Sequence, residues 1–104
     1  MPSFSLHLAD TNVHNLKDLL VAAKTAPAYE FRSLLITADK DNGGAIVFVG
    51  DSDLDTTAKI FSYSLAANAS RHYGPMPYPA ALVDTSTLYI KASAEAYVHV
   101  EGLY

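Results

Sequence analysis

From residue 29 onward the apolar residues of this chain come in short runs, and turn-forming residues close each run before it reaches helix length. Runs of about four to eight branched and aromatic residues, bounded by Gly, Pro, Asn or Asp, read as strands. Residues 29–38 form such a run. Asp39-Lys40-Asp41-Asn42-Gly43-Gly44 follows as a turn, because Asn-Gly tolerates positive φ. Residues 45–49 come next, so the spacing predicts a hairpin. Ile46 and Phe48 face one way and Val47 and Val49 the other, which predicts a central strand covered on both sides. Further strands are predicted over 60–65, 68–73, 88–92 and 97–101, the last after a small turn near Ala94-Glu95. Residues 74–79 contain Pro75, Pro77 and Pro79, which lack a donor, so they read as a loop or extended arm.

The N-terminal part differs. Phe4, Leu6 and Leu8 alternate with Ser3, Ser5 and His7, the period of a half-buried strand. Asp10-Thr11-Asn12 reads as a turn. Asn15 is placed to cap a helix, with Asp18 in the first turn, where an acid suits the helix dipole. Leu16, Leu19, Leu20 and Ala23 follow at helical spacing and Pro27 blocks continuation, which predicts a short helix over 15–25. About six to eight strands and one helix give a mainly β fold: an antiparallel β-sandwich or jelly-roll-like barrel with one short N-terminal helix.

Length and composition limit the function classes. A chain of 104 residues fits a single domain, 1–104. Cysteine is absent, which excludes disulfides and cysteine-bound metal centres. A net charge of −4 argues against direct nucleic-acid binding. No apolar run approaches the ~20 residues that cross a membrane, and Met1 is not followed by a signal-peptide pattern. The expectation is a chain made and folded in a cytoplasm, without cofactor.

The stretch Val47-Phe48-Val49-Gly50-Asp51-Ser52-Asp53-Leu54-Asp55 invites sharper readings. Gly50-Asp51-Ser52 followed by leucine is similar to the nucleophile block of GDS(L) serine esterases. Such an enzyme needs a histidine base, commonly from a late Asp-x-x-His, and the sequence has none. Asp51, Asp53 and Asp55 occupy positions one, three and five of an EF-hand-like loop. Thr56 and Ser62 stand where glycine and the bidentate glutamate belong, so only a looser oxygen cage remains. The reading preferred is a strand-end corner. Gly50 supplies permissive dihedrals, and the acids and Ser52 satisfy freed backbone donors.

His7, His14, His72 and His99 show no metal-ligand spacing. Tyrosines cluster in the last third of the chain. They read either as ordinary strand residues or as a contact surface, since aromatics are enriched at interface cores. The candidate protein-contact residues are Arg71, His72, Tyr73, Met76, Tyr78, Tyr97 and Tyr104.

Four segments in order, Val47-Phe48-Val49-Gly50-Asp51-Ser52, Leu65-Ala66-Ala67-Asn68, Thr87-Leu88-Tyr89-Ile90-Lys91-Ala92-Ser93-Ala94 and Val98-His99-Val100, carry a resemblance. Over about residues 34–101 the chain resembles small β-domains of tailed-bacteriophage virions. The resemblance implies a non-enzymatic virion component, such as a capsid decoration (cement) protein, with no catalytic residues. The implied partners are the major capsid protein or other virion proteins, and a homotrimer or homodimer is expected. A neck, tail or fibre component and a carbohydrate-binding β-sandwich are the alternatives.

Overall fold

The computed structural model describes residues 3–22, 30–31, 33–73 and 83–103. In chain order the elements are β1 (Ser3–Leu8), β2 (His14–Asn15), α1 (Leu16–Ala22), β3 (Glu30–Phe31), β4 (Ser33–Ala38) and β5 (Val47–Gly50). Then come β6 (Tyr63–Leu65), β7 (Ser70–Tyr73), β8 (Val83–Asp84), a 3-10 turn (Thr85–Thr87), β9 (Tyr89–Ala92) and β10 (Ala96–Leu103). Two antiparallel four-stranded sheets, ordered β1-β10-β4-β7 and β2-β9-β5-β6, form the body, and β3 and β8 make a separate two-stranded ribbon. Among the described residues the fold is mainly β with one short helix, as the punctuated sequence predicts. Among the described residues no helix is long and apolar enough to cross a membrane.

Strand pairing is nested. β1 pairs with β10, β2 with β9, β3 with β8, β4 with β7 and β5 with β6. The chain is therefore one long antiparallel ribbon whose tip is the β5–β6 connection. Two more pairings, β10 with β4 and β9 with β5, roll this ribbon onto itself. The resulting strand order is that of a jelly roll.

Alternation decides what the roll encloses. β4 buries Leu34, Ile36 and Ala38, β10 buries Ala96, Val98 and Val100, and β1 contributes Leu6 and Leu8. Val47, Val49, Leu65, Ile90 and Ala92 face them from the other sheet in a single apolar cluster. A one-residue slip in any strand would turn this set to water, so burial fixes the register. At the helix, the Asp18 N–H donates to Asn15 Oδ1 at 3.2 Å, which makes Asn15 the cap. Asn15 Nδ2 also donates to the Ser86 carbonyl at 2.8 Å, pinning the helix start to the 3-10 turn. Leu16 and Leu20 seal the core from α1. The helix spans Leu16–Ala22, and residues 23–25 of the predicted span lie outside the described residues.

Three local expectations are corrected. β4 and β5 do not form a hairpin, because they belong to different sheets. The turn between them has the expected chemistry, with Gly43 at φ 64° and the Asp41 N–H donating to Asp39 Oδ2 at 2.9 Å. It arches across the core, so that the apolar faces of the two strands oppose each other instead of lying side by side. The 60–65 strand begins only at Tyr63. Ile60 instead bridges Asp55 in a tight turn closed by Lys59 at φ 61°. Gly50 is not a positive-φ residue. A Cβ there would stand 3.3 Å from both Leu54 Cδ1 and the Phe61 backbone, so a side chain would have to push these neighbours back by a few tenths of an ångström, and close approach is what favours glycine.

Both faces of β5 are covered to different degrees. Val47 and Val49 are buried, and Ile46 and Phe48 are half-buried. Phe61 packs edge-on against Phe48, with centroids 4.9 Å apart, and Lys91 Nζ donates to Thr56 Oγ1 at 3.0 Å. The 51–62 connection thus folds back over the outside of the β2-β9-β5-β6 sheet.

Candidate functional site

The outside of the β1-β10-β4-β7 sheet stays open to solvent. Tyr97, His99 and Glu101 project from β10, between the inward residues of that strand. The register places Ser5 opposite His99 and His99 opposite Thr37, with Ser70 beyond. In the next row Glu101 lies opposite Leu35, and Leu35 opposite His72. Ser5, His7, Ser70, His72 and Glu101 are exposed, and Tyr97 is 47% exposed.

The crossings between sheets lie at one end of this face, since Leu8 pairs with Ala96, Val98 with Ala38 and Thr37 with Ser70. Three crossings each carry an acid that accepts a hydrogen bond from a histidine. His14 Nε2 donates to Asp10 Oδ1 at 2.8 Å, His7 Nε2 to Glu95 Oε2 at 2.9 Å, and His99 Nε2 to Asp39 Oδ1 at 2.6 Å. The His99 hydrogen bond, and then the Asp41 N–H, hold the Asp39 carboxyl below its usual range. At Asp10 the Asn12 N–H acts first and His14 second, in the same direction. His7 also stacks on Tyr97, with centroids 4.4 Å apart and planes 9° from parallel.

A longer chain of bonds runs through His99. Ser5 Oγ lies 3.0 Å from His99 Nδ1, while Nε2 of the same ring holds Asp39. Ser5, Asp39 and His99 come from β1, the β4–β5 arch and β10. No local spacing announces this set. The only sequence signal is the outward alternation of Ser5 and His99, and that is silent on which strands pair.

The contact residues named from the sequence do not share one surface. Tyr97 and His72 lie on the open face. Arg71 and Tyr73 lie on the other side of β7, opposite Ile36 and Leu34. Tyr73 is half-buried and its hydroxyl donates to that of Tyr63 at 2.8 Å. Arg71 sits 5.2 Å above the Tyr63 ring. Both residues close the gap between the edge strands β6 and β7. Burial pushes the Tyr63 hydroxyl well above the ordinary tyrosine range. Met76, Tyr78 and Tyr104 lie outside the described residues.

In the 51–62 connection the carboxylates serve their own backbone. Asp51 Oδ1 accepts from the Asp53 N–H at 3.0 Å, and Asp55 Oδ1 accepts from Thr57 and Ala58 at 3.0 and 3.3 Å. These are Asx turns, as the corner reading expects. Among the described residues no three His, Asp or Glu side chains converge as a metal site requires. Ser52 is exposed and makes no side-chain hydrogen bond among the described residues. Beside it a shallow, open depression of about 360 Å³ is lined by Asp51, Lys59, Ile60, Phe61 and Ser62, without a histidine. The esterase constellation sought at Ser52 is not assembled there.

No family model, curated protein or solved structure matches the chain.

Proposed function

We propose that this chain is a structural protein of a tailed-bacteriophage virion, a capsid decoration (cement) protein that binds the assembled head and stabilises it. One observation carries the reading: the open β1-β10-β4-β7 face, which sets Tyr97, His7, His99, His72 and half-buried Leu35 on one side of the sheet. Small-molecule sites are concave, whereas protein partners are held by flat patches with aromatic anchors inside a polar rim. The jelly-roll order adds support, because viral capsid domains use it, although a fold alone does not carry a function.

The partner would be the major capsid protein or another virion protein, met after synthesis in the host cytoplasm. A homotrimer or homodimer would match the symmetry of a shell. The mechanism needs no catalytic group: whatever binds the assembled lattice and not its free subunits raises the lattice's stability by mass action. Copurification with empty heads at a stoichiometry fixed by capsid symmetry tests the proposal, and absence from purified particles rejects it. A low, ring-like copy number would move the protein to the neck, tail or fibre.

Exposed Tyr97, backed by His7, favours one second reading, a carbohydrate-binding module in which the ring stacks on a sugar. A glycan array with no response removes it.

A further inference from the structure

We infer that Ser5 is a nucleophilic serine, activated through His99 and Asp39, that attacks carboxylic esters and related acyl or phosphonyl electrophiles. The inference goes beyond the binding role and does not rest on it.

Hydrogen-bond polarity makes the case. Asp39 is held ionised, so it accepts, and His99 Nε2 must carry the proton of the 2.6 Å bond. With Nε2 carrying that proton, the uncharged form of the ring has its lone pair at Nδ1, and the Ser5 hydroxyl, 3.0 Å away, is placed to donate to it. Both distances fall within the reach a nucleophile, base and orienting acid require, about 2.6–3.2 Å. The roles match the serine–histidine–aspartate template with the two ring nitrogens exchanged.

The three groups are also held in place before any substrate arrives. Ser5 and His99 are directly opposed across β1 and β10, a pairing fixed by buried Leu6 next to Ser5 and by buried Val98 and Val100 on either side of His99. Asp39 is fixed by its own turn, where Oδ2 accepts from the Asp41 N–H at 2.9 Å and its N–H donates to the Tyr97 carbonyl at 3.0 Å. Ser5 is exposed, so an electrophile reaches it from solvent.

The step balances with water as the only further reactant. Ser5 Oγ bonds to the acyl carbon while its proton passes to His99 Nδ1, and Asp39 stabilises the imidazolium. The carbon–oxygen bond to the leaving group breaks, the alkoxide takes the proton from Nδ1, and an acyl-serine remains for water to hydrolyse. No oxyanion hole enters, so the enhancement expected is that of general-base help alone, about 10²–10⁴-fold. His99 and Ser5 touch the reacting atoms, whereas Asp39 is a positioning residue.

The protein supplies its own control, because Ser52 is exposed and has no histidine. Incubation with an alkyl fluorophosphonate forms a stable Oγ–P bond and releases fluoride. Peptide mapping then compares the two serines in one molecule. Ser5 is expected to react at least about 100-fold faster than Ser52. His99→Gln should bring Ser5 down to the rate of Ser52. Asp39→Asn should slow Ser5, and Asp39→Glu, which restores a carboxylate, should recover it. Equal labelling of Ser5 and Ser52 in the unmutated chain overturns the inference without reference to any variant. Labelling of Ser5 that survives His99→Gln, in a variant whose unfolding transition is intact, overturns it as well.

Discussion

The hydroxyl of Tyr73, at the end of β7, donates to the hydroxyl of Tyr63, at the start of β6, across 2.8 Å. This bond joins the edge strand of one sheet to the edge strand of the other, with the Arg71 guanidinium over the Tyr63 ring. Tyr73→Phe leaves the packing and removes the bond. It should cost about 0.5–1.5 kcal/mol in urea unfolding at neutral pH. A loss indistinguishable from zero would show that the seam is held by packing alone.

Tyr63 also sets an alkaline limit. Its hydroxyl titrates higher folded than unfolded, above an ordinary value of 10.0. Above that ordinary value the unfolded chain loses the proton first and the folded chain keeps it. Stability is therefore fully present below about pH 10 and declines as pH rises beyond it. Tyr63→Phe should flatten that decline when unfolding is followed between neutral and alkaline pH.

Asp39 acts at the opposite end of the scale. Its carboxyl titrates lower folded than unfolded, below an ordinary value of 3.8. The contribution is present above that value and is lost as pH falls through the depressed folded value, because the unfolded chain takes up the proton first. Asp39→Asn should reduce the acid sensitivity of the unfolding midpoint. Identical acid profiles for the two proteins would remove Asp39 from the explanation. The group lies at the surface, so the effect should shrink in salt.

Packing at β4 separates the two faces. Ile36→Ala opens a cavity in the core and should cost about 2–5 kcal/mol. Thr37→Ala, one residue on and facing outward, should stay within about 0.5 kcal/mol. Equal costs would contradict the register of β4.

Gly50→Ala should destabilise by about 1–3 kcal/mol, because the added Cβ meets the Phe61 backbone, which cannot rotate away as a side chain can. Thermal unfolding against the parent gives the answer, and an unchanged midpoint would mean that the 51–62 connection shifts at little cost.

For the binding proposal, Tyr97→Ala should weaken attachment to heads by about 2 kcal/mol if Tyr97 is an anchor of the contact. Sedimentation of the variant with purified particles measures this. Undiminished attachment would place the contact elsewhere.

What the sequence makes legible here is local chemistry. The Asn15 cap, the Gly43 turn, the alternation of Leu34, Ile36 and Ala38 and the Asx turns at Asp51 and Asp55 each depend on neighbours a few residues away. Pairing is different. The same turn at 39–44 serves a hairpin or an arch equally well, and the choice depends on β10 and β7, which offer β4 its partners. Tyr73 reads as a contact residue from its place beside a proline-rich segment, yet the register turns it toward Leu34 and the seam. Ser5, Asp39 and His99 meet only once β1, β4 and β10 lie side by side.

The nested pairing carries a kinetic consequence. Val49 and Tyr63 meet after closing a short loop, whereas Ser3 and Glu101 meet only after nearly the whole chain has been brought round. Loop-closure entropy favours nucleation at the 51–62 tip and zippering outward, with β1 docking last and refolding on the slow timescale of high-contact-order proteins. Substitutions such as Val49→Ala should then slow refolding, while Leu6→Ala should mainly quicken unfolding, and the reverse pattern in stopped-flow traces would refute a tip-first route.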